Sequence, residues 1–176
     1  YYEVFLRDEA ATEDIAWFLT QEAGLDARFD DMLALLQVGT SGVTKMEIAA
    51  NFWDEMGNGE LEKVHTRMFA EALELLGVNP SEAERHFTLE SLISANLSMY
   101  MVLRRKAFYK GLGYCAVTEY LAPKRFKHVL HAWDRLELPD KAAEYHKVHI
   151  EVDAAHAYGW FRNVVAPLVD DNPAAA

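Results

Sequence analysis

Residues 146–156 read HKVHIEVDAAH, three imidazoles and a carboxylate among aliphatic side chains. A packed core does not need these groups, and a metal ion does. At about 100° per residue, His149, Asp153 and His156 fall within about 60° of one another on a helix. Glu144 and Glu151 point elsewhere, and His146 sits at the margin of the stripe. Imidazole with carboxylate is a donor set that suits iron or manganese. A plainer reading competes, in which each histidine lies on a half-buried face and is satisfied by a neighbour. The spacing alone is suggestive. A metal would also need carboxylates from other helices.

Two further stretches offer them. In NFWDEMGNGELEKVHTRMF, residues 51–69, Glu62 precedes His65 by three positions, the Glu-x-x-His pairing of helical di-iron proteins. Glu55 lies before the GNG break, which lets the chain bend and return Glu55 towards His65. Glu62 has an ordinary alternative as a first-turn surface charge. In GLGYCAVTEYLAPKRF, residues 111–126, Glu119 follows an apolar, small-residue run. Buried there, it needs a partner; a metal is one, and Lys124 or Arg125 is another. Cys115, one turn earlier, reads as a small core residue. Together, His65, Glu119, His149, Asp153 and His156, with Glu55 or Glu62, make three imidazoles and three carboxylates from three helical regions. That is a reasonable complement for two divalent ions.

The elements that must position these residues are helices. No segment shows clean two-residue alternation, and Ala, Leu, Glu and Lys are common. The pattern predicts helices over 10–23, 27–37, 43–56, 60–76, 88–104, 107–121, 124–136 and 140–166, with all five prolines at or near helix ends and a kink near Gly111 and Gly113. Thr88 is the expected N-cap of the helix that follows it. The 176 residues suffice for a single helical domain, 1–176, with 169–176 expected to be a flexible tail. Hydrophobic residues make up 51%, as in a globular chain. The net charge of −11 argues against nucleic acid and anionic lipid as partners. The single cysteine and the absence of a long apolar run lead to the expectation of a cytoplasmic protein. The chain opens on Tyr1 rather than Met, which leaves room for an upstream segment.

From Trp17 to Val165 the sequence resembles the haem-oxygenase-like diiron oxidases, also grouped as iron-containing redox enzymes. The likeness rests on the two blocks above and on YHKVHIEVDAAHAYGW, in that order. It implies an all-α, haem-oxygenase-like bundle of about seven to eight helices holding two Fe(II) ions, with Mn as an alternative. The family's ligands map to His65, Glu119, His149, Asp153 and His156. The remaining glutamate maps to Glu55 or Glu62. Glu55 stands slightly ahead, because Asp-Glu before a Gly-rich turn belongs to the family pattern. Some members recruit a further carboxylate, for which Glu22 is the match. No histidine precedes His65, so haem is not expected.

The implied activity is oxidation of a small-molecule substrate with O2 as cosubstrate, by N-oxygenation, desaturation or oxidative cleavage. An external electron donor and a homodimer are compatible with it. Trp160 shares the ligand stripe and is the candidate pocket residue, with Phe52, Trp53, Tyr100 and Tyr120 behind it. His146 is expected either to hold a ligand by a hydrogen bond or to lie at the surface. Three other readings compete: a metal-free thiaminase II-like hydrolase using Cys115, a non-catalytic binding protein on the same scaffold, and an acidic helical interaction module.

Overall fold

The computed structural model describes residues 1–172, and no strand occurs among them. Eight α-helices carry the fold: α1 Thr12–Asp26, α2 Phe29–Leu36, α3 Gly42–Glu55, α4 His65–Leu75, α5 Leu89–Leu103, α6 Phe108–Arg135, α7 Glu144–Gly159 and α8 Ala166–Asp171. A π-helical segment, Tyr2–Glu9, packs on α6, where Arg135 donates to the carbonyls of Arg7 and Ala10. A second, Trp160–Val165, joins α7 to α8. The tail expected from 169 is helical through Asp171, and 173–176 lie outside the described residues. No helix among the described residues is long and apolar enough to cross a membrane.

Several boundaries differ from those expected. The segment 107–136 is one helix rather than two, because Pro123 is carried inside α6. Proline has no N–H, so the carbonyl of Glu119, four residues back, loses its helical donor. Gly111 and Gly113 lie inside α6; the break falls earlier, at Arg104–Ala107. At Gly111 the Met101 carbonyl oxygen would stand 3.1 Å from an added Cβ, so the glycine permits close packing rather than a kink. Thr88 caps α5 as expected, its hydroxyl accepting from the Ser91 N–H at 3.2 Å.

The helix expected over 60–76 begins only at His65. Gly57 (φ 60°), Asn58 (φ 53°) and Gly59 (φ 88°) take left-handed conformations and turn the chain sharply after α3. A Cβ on Gly57 would lie 2.5 Å from the Lys63 carbonyl carbon, a backbone atom that cannot move aside. Gly57→Ala is therefore expected to cost more than about 2 kcal/mol, combining left-handed strain with that collision. Urea denaturation of the variant measures this; an unchanged midpoint would contradict it.

The longest packed pair is α6 against α7, and two apolar clusters form along it. One gathers Leu19, Phe69, Phe126, Val129, Trp133 and Tyr145. The other gathers Leu33, Leu36, Ile48, Leu112, Cys115 and Trp160. Glu119 lies between the two sets on α6. His149, Asp153 and His156 lie between Tyr145 and Trp160 on α7. Glu55 ends α3 beyond Ile48, and His65 opens α4 before Phe69. The apolar clusters thus flank a band of buried ionisable side chains, screening it from water.

Candidate metal centre

Six ionisable side chains converge in that band as two triads. Glu55, His65 and His149 form one; Glu119, Asp153 and His156 form the other. All are buried, and within each triad one donor atom per residue lies within 4.8 Å of the others. Donors around one ion at about 2.1 Å stand roughly 3–4.2 Å apart, so only slight contraction is required.

The donor atoms are fixed by their other contacts. His149 Nδ1 donates to the Tyr145 carbonyl, one helical turn back, at 2.7 Å. That leaves Nε2 facing Glu55 Oε1 at 3.9 Å. His156 Nε2 donates to Asp54 Oδ2 at 3.0 Å, leaving Nδ1 towards Glu119 Oε2 at 3.4 Å. His65 Nδ1 stands 3.0 Å from Glu55 Oε2 without hydrogen-bond alignment. Three buried atoms here, His65 Nδ1, His156 Nδ1 and Glu119 Oε1, have no hydrogen-bond partner. Buried polar atoms normally find one. Convergent donor atoms that do not pair with one another fit a cation, and the donor set of imidazoles and carboxylates fits iron or manganese.

The electrostatics agree. Burial, with repulsion from Glu119 and Glu55, pushes the Asp153 carboxyl up to about 10. Burial alone would lower the His156 pKa, but Glu119 and Asp54 hold it up at about 9. Burial raises Glu119, with His156 opposing. Burial lowers His149 to about 4. Without a cation the site must take up protons, the mark of carboxylates lacking a counter-charge.

Some expected site residues lie elsewhere. Glu62 is exposed on the short 3₁₀ turn Leu61–Lys63 and pairs with Arg67 at 2.7 Å, so it is not one of the converging groups. The expected Glu-x-x-His helix face does not exist, because α4 starts at His65. Glu22 pairs with Arg125 at 2.5 Å and belongs to neither triad. Trp160 is fully buried in the core and donates to Asn51 Oδ1 at 2.9 Å; it is a packing residue, not a pocket wall. Trp53, Tyr100 and Tyr120 are exposed, and Phe52 packs against the second apolar cluster. His146 is neither at the surface nor bonded to a ligand. It is fully buried against Phe126, Trp133 and Tyr145, neither ring nitrogen has a partner, and burial lowers its pKa to about 3.

Asp54 is the residue that the sequence reading missed. It accepts from Asn58 Nδ2 at 2.9 Å and from His156, so the GNG turn orients an imidazole. Burial alone would raise its pKa, but these bonds hold it below the ordinary value. The available signal was the Asp-x-x-x-Asn spacing across the break. Asp54→Asn is expected to weaken metal affinity by roughly 10–100-fold, the usual cost of losing a carboxylate behind a histidine ligand. Competitive titration against a fluorescent chelator measures this; wild-type affinity in the variant would remove Asp54 from the site.

The sequence profile of the iron-containing redox enzymes matches residues 16–176. The chain belongs to this family. Its all-α architecture is a haem-oxygenase-like bundle, and its buried triads are groups able to hold the family's metal. Among proteins of curated function, none matches the chain.

Proposed function

We propose that this iron-containing redox enzyme binds two ferrous ions, one at each triad, and uses O2 to oxidise a small organic substrate. The observation that carries the reading is the pair of buried triads whose unpartnered donor atoms converge between two apolar clusters. When bound, ferrous ions supply two of the four electrons that take O2 to water, the others coming from substrate or an external donor, together with Lewis acidity. The chain's own residues do the rest. Tyr145 and Asp54 orient His149 and His156. Glu119 and Asp153 hold protons that a cation displaces. The apolar clusters keep bulk water away, which strengthens each electrostatic contact.

Reconstitution with Fe(II) under anaerobic conditions tests the reading. The wild-type chain is expected to retain close to two irons and to consume O2 on exposure to air. If it binds no iron at micromolar concentration, the proposal fails. Manganese in place of iron would keep the site and change the chemistry.

The metal-free hydrolase reading has little to rest on. Cys115 is fully buried in the apolar cluster, and burial with the nearby Glu119 charge pushes its thiol far up. A thiol so held is not a nucleophile. Cys115→Ala is expected to leave iron content and O2 consumption within about twofold of wild type, at a stability cost of about 1 kcal/mol or less. Loss of activity with iron retained would revive the cysteine-based reading.

A further inference from the structure

Glu22, Asp26 and Arg125 are used by neither triad, yet they stand at the approach to both. An outer cavity of about 440 Å³ opens between α1, α5 and α6. A small void of about 20 Å³ is lined by Glu55, Glu119, His149 and Asp153. Thr118 and Arg125 line both spaces. They form the partition between the outer cavity and the metal ligands. The outer cavity falls within the roughly 300–1,000 Å³ typical of small-molecule sites. The inner void holds about one water-sized group.

The charges at this partition are unequal. Arg125 donates to Glu22, which faces the outer cavity, at 2.5 Å. Asp26, one turn further along α1, faces the inner void. It is 8% exposed, and its Oδ2 has no hydrogen-bond partner. Arg125 is therefore paired with Glu22, and Asp26, whose polar neighbour is Tyr145, has no ion-pair partner of its own among the described residues. A buried carboxylate oxygen without a donor is costly. A ligand that brings N–H donors and positive charge removes that cost. An anionic ligand would meet both carboxylates, while the guanidinium is engaged with Glu22 through one terminal nitrogen and only its buried Nε–H lacks a partner. Burial raises the pKa of Glu22 and of Asp26 in spite of Arg125, the direction expected where cations are too few.

We propose that the outer cavity receives a small substrate bearing a primary ammonium group, which Glu22 guides inward and Asp26 holds at the partition beside the metal ligands. An ammonium group is about the size of the water that the inner void admits, so the substrate's body stays in the outer cavity. The nitrogen and its adjoining carbon are then the atoms nearest the centre. That the bound amine is oxidised there rests on the function proposed above; its recognition does not require the metal.

Isothermal titration with n-hexylamine and with hexanoate tests the proposal, on wild-type, Asp26→Asn and Glu22→Gln proteins. Each is titrated after chelator treatment and after anaerobic Fe(II) loading, with iron content measured throughout. The amine is expected to bind wild type at least tenfold more tightly than hexanoate in both forms. Asp26→Asn is expected to weaken the amine at least tenfold while keeping the wild-type iron content. Glu22→Gln is expected to weaken it several-fold, and it carries the test if Asp26→Asn does not fold. Hexanoate binding as tightly as the amine, no amine binding at millimolar concentration, or equal amine affinity in the variants overturns the proposal. So does loss of iron in a folded Asp26→Asn protein, which would make Asp26 a metal donor. If wild type takes up no iron, the two-iron reading has failed on its own, and the chelated titrations still read amine recognition.

Discussion

Glu55→Ala protein, reconstituted anaerobically with Fe(II), is expected to hold about one iron per chain, and Glu62→Ala about two. The two glutamates are seven positions apart, and both precede His65. Only Glu55 approaches His65 and His149, at 3.0 and 3.9 Å, while Glu62 is spent in solvent on Arg67. Removing Glu55 leaves two buried imidazoles and no carboxylate in its triad, so a divalent ion there loses its charge compensation. The second triad keeps Glu119, Asp153 and His156 intact. Asp153→Ala is the mirror experiment and should spare the first triad. Iron retained in Glu55→Ala but lost from Glu62→Ala would reverse the assignment.

Removing the metal is expected to reverse the pH dependence of stability above neutrality. In the metal-free chain, Asp153 has a folded pKa of about 10 against an ordinary 3.8, and His156 about 9 against 6.5. A raised folded pKa stabilises the folded state below the unfolded value, and that stability drains away up to the folded value. Asp153 thus loses stability from about pH 4 to 10, and His156 from about 6.5 to 9. His149 and His146 are depressed to about 4 and 3. Their contribution is present above pH 6.5 and disappears as pH falls towards those values, so below 6.5 they offset Asp153. Above pH 6.5 only the losses remain, at up to about 1.4 kcal/mol per pH unit for each group. A bound divalent ion needs both groups deprotonated, so its affinity and its stabilisation grow with pH. Thermal melting at pH 6.5, 7.5 and 8.5 should show Tm falling in chelator and holding or rising with Mn(II), a redox-stable probe. Parallel slopes in the two series would mean that the cation does not bind these groups.

How much of this was legible in the sequence differs from group to group. The α7 stripe was readable because residues 149, 153 and 156 lie within one uninterrupted helix, where spacing sets direction. Glu119 was readable as a costly carboxylate in an apolar run, which must be partnered wherever the helix packs. The unbroken α6 was not, since Pro123 usually ends a helix; here packing along the whole of α7 and against Tyr2–Glu9 holds the helix together through the missing bond. Trp160 falls on the ligand stripe by counting, but counting gives direction and not surroundings: one turn beyond His156 the stripe meets the apolar cluster and Asn51 of α3 rather than a cavity.

The sequence by itself determined the all-α class and the helical face that carries His149, Asp153 and His156, because these depend on periodicity within single helices, and the family likeness, because that rests on the order of three motif blocks along the chain. Only the tertiary structure placed Glu55 rather than Glu62 beside His65 and His149, brought in Asp54 and set Asp26 and Arg125 at the approach to the triads. Each of those turns on how separate helices meet. The left-handed turn at Gly57–Gly59 breaks the helical register between Glu55 and His65, and once the register is broken, distance along the chain no longer specifies direction in space.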